Sequence, residues 1–112
     1  MKHLVLDIPE IHLTSINKKY TLSKGKFVLN NEYRQLKESL FLACRKIDIL
    51  PPYRVEIYQE TALDIDNCVK LILDALAKTI SNDKDIEELF VKKKKIKRGK
   101  VGRLSVWVES IS

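Results

Sequence analysis

A chain of 112 residues has room for one domain and one modest hydrophobic core. Hydrophobic residues make up 45% of it, which excludes a disordered chain, and a formal net charge of +6 points to an anionic partner, either nucleic acid or a membrane surface. The opening Met1-Lys2-His3-Leu4-Val5-Leu6-Asp7 meets an acid after too few apolar residues for a secretory or spanning segment, so a soluble intracellular protein is expected.

Taken in chain order, Leu4, Leu6 and Ile8 alternate with His3, Val5 and Asp7, which predicts a first strand with one better-buried face. The stretch from Pro9 to Asn30 has weak periodicity around Ser23-Lys24-Gly25-Lys26 and reads as a mobile loop or a loose hairpin between Tyr20 and Phe27. Asn30 or Asn31 can cap a helix whose face carries Tyr33, Leu36, Leu40, Ala43 or Cys44, and Ile47, ended by Pro51-Pro52. Tyr53, Val55 and Ile57 alternate with Arg54, Glu56 and Tyr58 in a second strand. A second helix is predicted from about Asp66 to Ile80, turning Val69, Ile72, Leu73, Leu76 and Ile80 to the core. Leu71 and Ala75 widen that apolar face, which fits burial inside one chain or a subunit contact. After an acidic turn from Ser81 to Glu88, Leu89 to Arg98 and Gly102 to Ile111 read as a C-terminal hairpin turning at Gly99 and Gly102. The expected fold is α+β, a mixed β-sheet packed by two helices in the order β-α-β-α-β-β, as a single compact domain over residues 1–112.

Chemistry concentrates at Asp64-Ile65-Asp66-Asn67, between the second strand and the second helix, with Asp83 beyond that helix. In a basic protein, a set of carboxylates near an anionic nucleic acid calls for a hard divalent cation between them, and oxygen ligands select Mg²⁺. An Asx residue before an apolar helical run is also an ordinary N-cap. In extended backbone, however, Asp64 and Asp66 share a face and can grip one ion, with the helix N-terminus favouring phosphate. Lys70 lies one helical turn beyond Asp66, where it can stabilise charge developing on a phosphate or simply pair with Asp66 or Asp74. Asn67 suits the ordering of the turn or of the ligands rather than direct metal binding. A continuous helix from Asp66 to Ile80 would rise roughly 20 Å. Either the chain folds back after Ile80, or two helices pack antiparallel and Asp83 of one subunit approaches Asp64 and Asp66 of the other. Cys44 and Cys68 lack Cys-x-x-Cys spacing and read as reduced core thiols, while His3 and His12 lack ligand spacing.

These residues resemble a known pattern. Asp64-Ile65-Asp66-Asn67-Cys68-Val69-Lys70, then Leu73-Asp74-Ala75-Leu76, then Asn82-Asp83 and Ile86, is similar to RusA-type Holliday junction resolvases. Ser15-Ile16-Asn17-Lys18-Lys19-Tyr20 and Gly102-Arg103-Leu104 extend the likeness over nearly the whole domain. The resemblance implies Asp64, Asp66 and Asp83 as catalytic metal-binding acids, Lys70 as the motif lysine, Mg²⁺ or Mn²⁺ as cofactor, and symmetric cleavage of four-way DNA junctions by a homodimer. It also implies a cytoplasmic setting, bacterial or phage- or prophage-encoded, in DNA recombination and repair. Three departures stand out. Gln59-Glu60-Thr61-Ala62-Leu63 lacks the basic residues or proline that relatives tend to carry before the aspartates. Asn82-Asp83 replaces an acidic doublet, and Ile11-His12-Leu13-Thr14 replaces a proline-rich lead.

The segment Lys92-Lys93-Lys94-Lys95-Ile96-Lys97-Arg98, continued by Lys100 and Arg103, contains no acid. Lysines on an edge strand prevent aggregation, but beside an acidic metal motif Lys92, Lys94, Lys97, Arg98, Lys100 and Arg103 also suit a DNA backbone track. Lys18, Lys19, Lys24 and Lys26 extend the same footprint. Tyr33, Phe41 and Phe90 read as core; Tyr20 is unassigned, and Trp107, opposite Leu104, Val106 and Val108, suits a covered sheet face, a subunit contact or DNA. Two other functions fit the composition: a non-catalytic basic nucleic-acid-binding module, and a metal-dependent nuclease for flaps or RNA.

Overall fold

The computed structural model describes residues 1–13, 20–23, 26–29, 31–80 and 82–112, of which 20–23, 26–29 and 31–33 are described as backbone only. Chain order runs β1 (Lys2–Ile11), β2 (Tyr20–Ser23), β3 (Lys26–Leu29), α1 (Asn31–Ala43), β4 (Tyr53–Thr61), α2 (Val69–Ala75), β5 (Ile86–Lys95) and β6 (Gly102–Ser110), with 3-10 turns at Leu76–Lys78 and Asp83–Asp85. The fold is α+β, as expected, and β2 pairs with β3 as a hairpin. Lys18, Lys19 and Lys24 lie outside the described residues, as does the Lys26 side chain.

Strand β4 organises the molecule because its alternation is strict. Tyr53, Val55, Ile57, Gln59 and Thr61 are buried on one face, and Arg54, Glu56, Tyr58 and Glu60 are half-buried on the other. The sheet order is β1-β6-β4-β5, with β4 and β5 parallel and the other pairs antiparallel. The C-terminal hairpin expected from sequence is therefore not formed, since β4 lies between β5 and β6. Leu104, Val106 and Val108 of β6 are all fully buried, and so apolar a strand belongs in the middle of a sheet. The lysine-rich β5 tolerates an edge, and the crossover through α2 delivers it parallel to β4.

At the opposite edge, β1 accommodates Pro9 because only one side of it is paired. A bulge between Leu4 and Leu6 breaks the predicted alternation. Val5 and Leu6 are both buried as a result, while Leu4 turns to the other face and is 37% exposed.

Both helices cover the face carrying Val55, Ile57, Leu104 and Val106, and Leu40, Leu71, Ile72, Ala75 and Leu76 complete the core. Truncating one of these, such as Ile72→Ala, would cost about 2–5 kcal/mol. Helix α1 ends at Ala43, short of the expected stop at Pro51-Pro52. The Arg45 amide leaves the helix to donate to Val5 O at 2.7 Å, and Thr79 Oγ1 donates to Arg45 O at 2.6 Å. Helix α2 is shorter than predicted, with a tight 3-10 end in which the Thr79 and Ile80 amides both reach Leu76 O, at 2.8 and 2.7 Å. Its wide apolar face is accounted for by burial inside this one chain.

Among the described residues, the other sheet face carries no helix. Ion pairs Lys2–Glu56 (2.8 Å), Arg54–Glu88 and Arg103–Asp7 (2.8 Å) frame Trp107, Tyr58 and Phe90 there. Phe41 and Phe90 are not core residues, being 37% and 56% exposed. Phe41 lies under the Lys78 ammonium at 4.9 Å, and Phe90 sits on the uncovered face at an edge strand. Among the described residues, no helix is long and apolar enough to cross a membrane.

Candidate functional site

The segment from the end of β4 to the start of α2 is held from both sides. Thr61 Oγ1 accepts from the Leu63 amide at 3.1 Å, Lys93 Nζ donates to Leu63 O at 2.9 Å, and Gln59 Nε2 donates to Ile65 O at 2.6 Å. Within the segment the Asn67 amide donates to Asp64 O at 3.0 Å, closing a turn over 64–67. Asp64 and Asp66 therefore stand on a turn, not on the extended backbone expected for them. Asn67 closes that turn through its backbone amide.

Capping does not account for the aspartates either. The residue preceding α2 is Cys68, and no side chain caps the helix there. With seven residues, beginning three positions after Asp66, α2 also lends the aspartates little of the dipole anticipated from sequence. Both carboxylates are exposed, and among the described residues neither has a hydrogen-bond or ion-pair partner.

After Ile80 the chain returns far enough alongside α2 to bring Asp83 within reach of Lys70, but not into one group with Asp64 and Asp66 among the described residues. Asn82 Oδ1 accepts from the Lys84 amide at 3.0 Å and starts the 3-10 turn carrying Asp83. Lys70, in the first turn of α2, then bridges Asp74 at 3.1 Å and Asp83 at 3.2 Å. The two carboxylates, Asp74 foremost, raise the Lys70 pKa, so this ammonium stays charged. Among the described residues, no three His, Cys, Asp or Glu side chains converge as a metal-holding group. The donor set nonetheless fits a hard cation. Mg²⁺ commonly takes one or two protein carboxylates and completes its shell with water and substrate phosphate, and Asp64 and Asp66 offer that many unengaged oxygen donors.

Beside the turn, a cleft of about 280 Å³ is lined by Leu63 and Thr61 on one side and by Lys97, Arg98 and Lys100 on the other, with His12 at its rim. It exists because the 96–101 connection crosses the end of β4, where the Ile96 amide donates to Thr61 O at 3.3 Å. Alternation splits the lysine run. Lys92 and Lys94 pair with Tyr58 and Glu60 on the uncovered face, whereas Lys93 and Lys95 pair with Gln59 and Thr61 on the helix side. Arg103 is already committed, donating to both oxygens of Asp7 at 3.0 and 2.8 Å. Those bonds, with one from Ser105 Oγ at 2.7 Å, hold the Asp7 carboxyl below its usual range.

Gln59 and Lys93 are the site residues that sequence reading missed. A visible signal was Gln59 itself, the first amide on the buried phase of β4 after Tyr53, Val55 and Ile57. Cys44 and Cys68 are buried thiols joined by no disulfide, and burial pushes each up to about 11. No protein-family model matches this chain, and no curated protein matches it.

Proposed function

We propose that the protein is a Mg²⁺- or Mn²⁺-dependent endodeoxyribonuclease of the RusA kind, a cytoplasmic homodimer that resolves four-way DNA junctions by hydrolysing phosphodiesters. The observation that carries this reading is the pair of exposed, unengaged carboxylates, Asp64 and Asp66, on the turn that directly follows Leu63, a residue lining the same cleft as Lys97, Arg98 and Lys100. Asp64 and Asp66 would hold the metal, with Asp83, the partner of Lys70, as the third acid. Held by these residues, such an ion would supply a water of lowered pKa and positive charge to offset that of the phosphate. Lys70 brings a permanent ammonium to the first turn of α2 and, on leaving Asp83, faces the charge that develops on the phosphate. Lys92, Lys94, Lys97, Arg98 and Lys100 neutralise backbone phosphates, a contribution that gives salt-dependent affinity without base specificity.

The test is incubation with a synthetic four-way junction, a linear duplex and a flap, each with Mg²⁺ or a chelator. Paired nicks confined to the junction are expected, and Asp66→Asn should bind the junction and fail to cut it. Cleavage at the normal rate by Asp66→Asn would remove the metal assignment. A second reading, a non-catalytic nucleic-acid-binding module, is favoured by the Lys70–Asp83 ion pair, which engages the third acid. Binding without metal-dependent nicking of any of the three substrates would select it.

A further inference from the structure

Gln59 and Lys93 are matched across the parallel ladder of β4 and β5, on the sheet face that packs the core. The rows before them on that face are Val55 with Leu89 and Ile57 with Val91, so a third apolar pair would continue the pattern. Instead the chain places a carboxamide that is 1% exposed beside the stem of a lysine. Burying such a group without a partner is costly, and both groups are satisfied by main-chain carbonyls rather than by each other. Gln59 Nε2 meets Ile65 O at 2.6 Å and Lys93 Nζ meets Leu63 O at 2.9 Å. Those carbonyls belong to the residues on either side of Asp64.

We infer that Gln59 and Lys93 are paired positioning residues that tie the Asp64–Asp66 turn to the sheet and so fix its carboxylates for a divalent cation. The purpose assigned to them rests on the metal-dependent reading above; the two anchors do not. The bond from the Asn67 amide to Asp64 O closes the turn upon itself but leaves it free to rock about its ends. Anchoring the Leu63 and Ile65 carbonyls removes that freedom, because the peptide planes that lead into Asp64 and into Asp66 are each attached to a different strand. Neighbouring lysines of β5 thus serve different ends: Lys92 and Lys94 face solvent, while Lys93 holds the backbone beside a ligand.

The test uses the full chain with Lys93→Met, which keeps the stem and loses the donor, Lys93→Arg, which keeps a donor, and Gln59→Leu. Thermal melting first establishes that each variant is folded; if Gln59→Leu is not, the Lys93 pair decides alone. Two quantities are then read by NMR: exchange of the Asn67 and Val69 amides, and Mn²⁺ affinity from paramagnetic broadening at residues 64–67. Loss of a group supporting a metal ligand typically costs 10- to 100-fold in affinity. Lys93→Met should therefore weaken Mn²⁺ binding by about 10-fold or more, speed amide exchange comparably, and be rescued by Lys93→Arg. Unchanged exchange and affinity in folded Lys93→Met would overturn the inference. If the wild-type chain neither binds Mn²⁺ nor cuts DNA, the functional reading fails by itself; faster exchange in Lys93→Met would still establish the anchors, and unchanged exchange would remove them too.

Discussion

Gly102 offers the sharpest check on the sheet, because it is buried where β6 begins and passes against the end of β4. A Cβ added there would stand 2.5 Å from the Glu60 Cβ and closer still to the Glu60 carbonyl oxygen. Carbon atoms in contact prefer about 3.5–4.0 Å, so Gly102→Ala requires the strands to part by about 1 Å. Glu60 cannot easily yield: it lies in a strand laddered on both sides, and its Oε1 accepts from the Arg103 amide at 2.8 Å. Overpacking of this kind costs about 1–3 kcal/mol, a large share of the ~5–15 kcal/mol that holds a domain of this size together. At roughly 4–5 °C per kcal/mol for about 110 residues, the melting temperature followed by circular dichroism should fall by about 4–15 °C. Gly99 supplies the contrast. Its φ is +83° and nothing lies within 4 Å of an added Cβ, so Gly99→Ala suffers from backbone conformation alone. Asn, which tolerates the left-handed region, should recover part of that loss at position 99 and none at position 102. A Gly102→Ala protein melting within a degree of wild type would refute the close passage of β6 over β4, and with it the placement of the basic cleft beside Leu63.

Other expectations follow from ionisation. With thiols pushed up to about 11 by burial, Cys44 and Cys68 should resist iodoacetamide at pH 8, where about one in a thousand is thiolate, and react only after unfolding; fast labelling of the folded chain would contradict their burial. Asp7 is held below its usual range by hydrogen bonds from Arg103 and Ser105, and Glu60 by those from the Tyr58 hydroxyl and the Arg103 amide. Depressed carboxyl values mean that the unfolded chain takes up protons first. Their contribution is therefore present above the ordinary carboxylate range and lost as pH falls through the lowered values. The guanidinium midpoint should decline below about pH 4.5, and less steeply in Asp7→Asn with Glu60→Gln. An identical decline in that double variant would exclude both groups as its source.

Sequence gave away the elements whose signal is local. The unbroken alternation from Tyr53 to Gln59 shows up as β4 because a half-buried strand needs it, and the opposed sets Leu104, Val106, Val108 and Ser105, Trp107, Glu109 fall on opposite faces as read. Longer-range features stayed hidden. The apolar run from Val69 to Ile80 reads as one helix, yet the Thr79 hydroxyl serves Arg45 O and the last turn tightens around Leu76 O. Adjacency in sequence suggested a hairpin for the last two strands, whereas the burial demanded by β6 places it between β1 and β4. Asp64, Asp66, Lys70 and Asp83 were legible as residues, but the return that sets Asp83 on Lys70 depends on a non-repeating turn at Asn82. Anchors such as Gln59 and Lys93 grip backbone carbonyls, which every residue possesses, so their partners leave no mark on the amino-acid pattern.

The central place of β6 has a consequence for how the molecule assembles. It follows every other strand in chain order, yet both β1 and β4 depend on it for a neighbour. During synthesis these two strands expose unsatisfied main-chain groups until β6 slides between them, closing the barrel-less gap like a keystone. Contacts between segments so distant in sequence are slow to form, so folding of the sheet should be a single late event, with the half-made intermediate the species most prone to aggregate.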